Sequence, residues 1–109
     1  MLAVSATLAE ALALMRMVSN RTIFVTGDNA TLVGVISEGD LIRAFENSQL
    51  LHSRVIDVMN SAPIYSESFL SKEDLVMIFT STGALLIPIV TSSGKIIGAQ
   101  SLLECKRCQ

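Results

Sequence analysis

The chain has 109 residues, half of them apolar and 17% charged, with a formal net charge of -2 at pH 7. That balance excludes a disordered chain, which is poor in apolar residues and rich in charge, and the lack of a Lys/Arg cluster excludes a nucleic-acid footprint. The apolar run at residues 85–90 is far short of the ~20 residues that span a bilayer, so a soluble domain with one core and no membrane insertion is expected.

In chain order, the pattern opens with a short strand at residues 2–4. The first ten residues lack a basic segment and include Glu10, so they read as structure and not as a signal peptide. Thr7 and Glu10 form a capping box ahead of a helix whose stripe is Leu8, Ala11, Leu12, Met15 and Val18. Two β-branched runs follow, at 22–26 and 31–37, and Gly27-Asp28-Asn29-Ala30 between them has the chemistry of a hairpin turn. A second helix at 38–47 presents Leu41, Ile42 and Phe45. Residues 48–54 form a polar connector, and 55–59 a short helical segment.

The same series then returns. A strand is expected at 63–65, and a helix started by Ser71 and Asp74 carries Leu75, Ile78 and Phe79. Strands at 85–91 and 95–100 turn at Ser92-Ser93-Gly94, and a last helix follows Ser101. Gly34 and Gly98 stand 64 residues apart, and Met15/Phe79, Ile23/Ile87, Val25/Ile89, Ser37/Ser101, Asp40/Glu104 and Arg43/Arg107 keep that spacing. A repeat at fixed period defines an architecture before any single motif does. The expected fold class is α/β: two β-α-β-β-α units, each too small to bury much alone, packed with pseudo-twofold symmetry. Such packing creates clefts suited to small ligands.

Three fragments in this frame, Val55-Ile-Asp-Val-Met59, Ile87-Pro-Ile-Val90 and Gly34-Val-Ile-Ser37-Glu-Gly-Asp40-Leu41, resemble the CBS family, and the resemblance runs from Leu2 to about Arg107. It implies CBS repeat 1 at residues 1–47, a connector at 48–54 and CBS repeat 2 at 55–109 within one module. It also implies a regulatory, non-catalytic task. The module would sense an adenine nucleotide (AMP, ADP or ATP) or a relative such as S-adenosylmethionine, need no cofactor, and bias an attached domain of a longer parent protein.

Family members that bind adenosine derivatives hold the ribose hydroxyls with the signature Asp and use the neighbouring Ser or Thr for ribose or phosphate. By position these are Asp40 and Ser37, with Arg21 to neutralise phosphate and the adenine against Ile64 and Ile87. A carboxylate accepts from two vicinal hydroxyls, and backbone N–H groups at a helix start favour anions. The second copy offers Ser101 and Glu104, but Glu104 carries its carboxylate about 1.5 Å further out, and Leu85 stands where Arg21 does. One competent site, organised by Asp40, is therefore expected. The alternative reading is a structural module with degenerate pockets. The family also implies a homodimer through the CBS helices.

Simpler readings stand beside these. Ser37 with Asp40, and Ser101 with Glu104, also satisfy the spacing of plain helix caps. Cys105 and Cys108 spell C-x-x-C, but the repeat places them on Leu41 and Ala44, so they read as small core hydrophobes and not as metal ligands. His52 and Arg54 read as a solvated linker. No nucleophile–base pair is evident, and Gly94-Lys95 is followed by Ile96, which breaks a Walker-type loop. An independent enzyme is not expected. With two cysteines and no targeting segment, a cytoplasmic setting is the default.

Overall fold

The structure is a computed structural model that describes residues 1–18, 20–49, 51–84 and 86–101. Its chain divides into two units, Met1–Pro63 and Ile64–Gln109. Both are mixed α/β.

In the first unit, α1 (Leu8–Met15) starts at Thr7, whose side chain accepts from the Glu10 N–H while the Glu10 carboxylate accepts from the Thr7 N–H. That reciprocal cap is the one read from the sequence. The connector supplies more: the N–H groups of Leu8 and Ala9, which have no partner inside the helix, donate to the carbonyls of Ser53 and Leu51 at 2.8 and 2.9 Å. Arg54 donates to the Ser5 carbonyl at 2.6 Å. Residues 51–54 are thus bound to the start of α1, while His52 is exposed.

Strands β1 (Leu2–Ala3), β2 (Thr22–Thr26) and β3 (Leu32–Ser37) form a three-stranded sheet in that order. β1 runs parallel to β2, and β2 antiparallel to β3. The β2–β3 turn is a short 3-10 segment, Asp28–Ala30. Helix α2 (Glu38–Glu46) follows β3 without a loop. Leu8, Ala11 and Met15 of α1, Ile23, Val25 and Ile36 of the sheet, and Leu41 and Ala44 of α2 make one core. Leu12 and Ile42, expected in the buried stripes, are instead 40% and 53% exposed. Each lies next to a buried residue of its helix, and one sheet covers a narrower arc than the full apolar stripe.

Residues 55–60 pack on this unit. Val55 is fully buried in the core just described, in a 3-10 turn (Val55–Asp57), and its N–H donates to the Ala6 carbonyl. Asn60 exchanges two hydrogen bonds, 3.0 and 2.8 Å, with Val35 on the outer edge of β3. The family resemblance starts the second repeat at Val55, whereas the packing changes over after Pro63.

In the second unit, α3 (Lys72–Thr82) is capped by Ser71, which accepts from the Asp74 N–H at 3.2 Å. It ends at Gly83, whose φ of 73° is the left-handed conformation that a helix C-terminus favours and glycine adopts freely. Strands β4 (Ile87–Val90) and β5 (Ile96–Gln100) pair antiparallel. Leu75, Phe79 and Ile87 form the core. The 64-residue spacing holds in the backbone: Val25 pairs with Gly34 and Ile89 with Gly98, and the register slips after Val25 in one hairpin and after Ile89 in the other.

The strand expected at 63–65 does not form. The spacing maps β1 onto Ser66, and Ser66 makes a single parallel bridge to Ile89, matching Leu2 with Val25. The Ser66 N–H donates to the Pro88 carbonyl at 3.1 Å, and the Val90 N–H donates to the Ser66 carbonyl at 2.9 Å. Extending this ladder back to Ile64 would need an N–H at residue 88, and proline has none. Extending it forward is blocked as well, because the Ser66 hydroxyl takes both the carbonyl and the N–H of Ser68. The helix expected after Ser101 lies outside the described residues.

Candidate functional site

The motif residues of the first repeat meet where β3 runs into α2. Ser37 is both the last residue of β3 and the N-cap of α2. Its Oγ accepts from the Asp40 N–H at 3.1 Å, and Asp40 Oδ2 accepts from the Ser37 N–H at 2.9 Å. Asp40 Oδ1 accepts from Arg43 at 2.6 Å. The carboxylate is therefore held at both oxygens, yet an ionised carboxylate has about four acceptor positions, and its side chain is 20% exposed. Two hydroxyls can join it without breaking the cap. Ser37 Oγ serves the cap only as an acceptor, so its own proton is available to a ligand.

Arg21 lies beside this turn because of strand register. Thr22 pairs with Ser37, so the next residues outward, Arg21 and Glu38, face each other across the hairpin. The Glu38 N–H donates to the Arg21 carbonyl at 3.0 Å, and Arg21 Nη1 lies 2.7 Å from Glu38 Oε1. Arg21 holds a φ of 54°, unusual for a side chain with a Cβ. Thus Ser37, Asp40 and Arg21 do gather at one helix start, where backbone N–H groups and the helix dipole favour an anion.

Sequence reasoning missed two members of this group. Arg43 was legible, being three residues after Asp40 and hence on its face. Glu38 was not, because its pairing with Arg21 needs the β2–β3 register. Gly39 contributes by its lack of a side chain: a Cβ there would stand 3.2 Å from Arg43 Nη1, so the glycine lets the Arg43 guanidinium fold back over the turn.

The remaining expected residues belong to the second unit. Ile64 is 40% exposed, whereas Ile87 is fully buried against the α3 side chains of its own core. Ser101 is buried and partnered. Glu104, Leu85, Cys105 and Cys108 lie outside the described residues. Among the described residues, no group of three His, Cys, Asp or Glu is placed to hold a metal ion, and no helix is long and apolar enough to cross a membrane.

A second feature of the first unit is a groove of about 130 Å³ between α1 and α2, lined by Leu12, Met15, Leu41, Ile42 and Phe45 together with Arg16 and Glu38. It is too small for a nucleotide, since ligand pockets run to roughly 300 Å³ and more. One or two apolar side chains would fill it.

Residues 1–47 match the family model of the CBS domain. No curated protein sequence matches the chain. Among solved structures, CBSX2 in complex with AMP is 27% identical, with a TM-score of 0.84 over 98% of this chain and 84% of that one. The cytosolic domain of the Mg2+ channel MgtE in complex with ATP is 20% identical, with a TM-score of 0.78 over 99% of this chain and 44% of that one. The CBS domains of a transcriptional regulator from Streptococcus pneumoniae are 15% identical, with a TM-score of 0.80 over 97% of this chain and 85% of that one. The first repeat of this chain matches the CBS family directly, and the chain shares its fold with solved CBS-domain structures. It spans less than half the length of the MgtE domain.

Proposed function

We propose that the chain is a CBS domain pair that serves as a regulatory module, cytoplasmic and non-catalytic, binds an adenine nucleotide at the start of α2 and biases an attached domain of a longer parent protein. The observation that carries this reading is the junction of β3 and α2, where the Asp40 carboxylate keeps acceptor positions for ribose hydroxyls beside Ser37, Arg21 and the helix N-terminus. The likeness to CBSX2 with AMP and to the MgtE domain with ATP supports the ligand class. Regulation follows if the ligand binds two states of the parent with different affinity.

AMP, ADP, ATP and S-adenosylmethionine should be screened by thermal shift. A ligand at 100 times its Kd adds about 2.7 kcal/mol to stability. Asp40→Asn keeps an oxygen for the Ser37 cap but loses the charge that strengthens hydrogen bonds from ribose, so affinity should fall about 10- to 100-fold, from a loss of about 1.5–3 kcal/mol. Glu104→Gln should change it little. An empty screen, or an unaltered Kd in Asp40→Asn, would remove the site.

The groove between α1 and α2 favours a second role, self-association through these helices, which can accompany ligand binding or replace it. Leu12 and Ile42 leave its apolar lining open to solvent. Light scattering is expected to show a dimer that Ile42→Glu converts to monomer. A wild-type monomer would end this reading.

A further inference from the structure

We infer that Glu38 sets the charge selectivity of the site, acting as a built-in anion that competes with ligand phosphate for Arg21; the inference rests on the nucleotide reading above. Arg21 is the cation best placed for phosphate, but its guanidinium is taken by Glu38 at 2.7 Å. The other cation at the turn, Arg43, is taken by Asp40 at 2.6 Å. Two arginines thus pair with two carboxylates at this turn, and within these pairs the charges cancel. An adenosine moiety, recognised through its hydroxyls, meets no penalty there, whereas each phosphate charge meets the Glu38 carboxylate as well as Arg21.

The pair is also breakable. Its side chains are 66% and 41% exposed, and an ion pair so exposed is worth about 0–1 kcal/mol. The backbone bond from the Glu38 N–H to the Arg21 carbonyl holds the two residues together whether or not the side chains touch. Glu38 can therefore swing away, leaving Arg21 in place for phosphate. The carboxylate acts on affinity through its charge and is not needed to position Arg21.

The test is binding of adenosine, AMP and ATP to the wild type, Glu38→Gln and Glu38→Asp by calorimetry at low and high salt. At about 6 Å through a water-like dielectric, one unit of like charge alters affinity about threefold. Glu38→Gln should thus tighten AMP, with about two phosphate charges, about tenfold, tighten ATP more, and leave adenosine unchanged. The gain should shrink in about 1 M salt, where screening acts within about 3 Å. Glu38→Asp, which keeps the charge and shortens the reach, should behave like the wild type. Equal tightening of adenosine and AMP, an unchanged AMP-to-adenosine ratio, or tightening in Glu38→Asp as large as in Glu38→Gln would overturn the role of Glu38 while leaving the site in place. Absence of binding by all three ligands to every variant would overturn the nucleotide reading and this inference with it.

Discussion

Leu8→Ala should destabilise the first unit by about 2–5 kcal/mol, the range for emptying a fully buried leucine site. Leu8 has no exposed surface and shares its core with Val25, Ile36, Leu41 and Val55, so the cavity would open among side chains from two sheet strands, α2 and the segment after the connector. The backbone around it is fixed by the Thr7–Glu10 cap and by the bond from the Leu8 N–H to Ser53, which limits collapse into the space. Urea denaturation would show the loss as a lower midpoint at an unchanged slope. Leu12→Ala, one turn along the same helix and 40% exposed, should cost less than about 1 kcal/mol because part of its surface is already in water. Equal losses would mean that α1 is not oriented as described.

The two repeat glycines should respond differently to the same change. A Cβ on Gly34 would stand 2.7 Å from Met59 Sδ and 2.8 Å from the Asn60 carbonyl oxygen. The methionine can move, but the carbonyl is fixed by the Asn60–Val35 bridge. Gly34→Ala is therefore expected to cost about 1–3 kcal/mol, typical of overpacking, and to raise hydrogen exchange at the Asn60 and Val35 amides. At Gly98 the nearest atom is Phe69 Cζ, at 3.1 Å, the far end of a side chain that is 64% exposed and free to turn. Gly98→Ala should be nearly neutral. Similar losses at both sites would show that the Met59–Asn60 segment does not hold against β3.

This asymmetry marks where the sequence was legible. The glycine spacing, the caps at Thr7, Ser37 and Ser71, and the hairpin runs were all readable, and the paired registers Val25–Gly34 and Ile89–Gly98 reproduce the repeat in space. The strand expected at 63–65 was misplaced against the repeat's own spacing, which points to Ser66, and Pro88 was the local signal that no ladder continues upstream of it. At the site, Ser37 and Asp40 were visible as a motif and Arg21 by position, but the Arg21–Glu38 pair was not. The sequence also did not show that Ile87, proposed to lie against adenine, is sealed within its own core.

By itself the sequence determined the element order of the first unit, the repeated hairpin and the helix caps at Thr7, Ser37 and Ser71. These depend on contacts three or four residues apart, or on a hydrophobic period that any folded form must respect. Only the tertiary structure decided that residues 55–60 close the edge of β3, that Arg21 meets Glu38 across a hairpin, and that Leu12 and Ile42 face a groove instead of the core. Those outcomes follow from strand register and from competition among apolar side chains for limited buried space. Both are set by pairing between segments distant in the chain, and no local pattern encodes them.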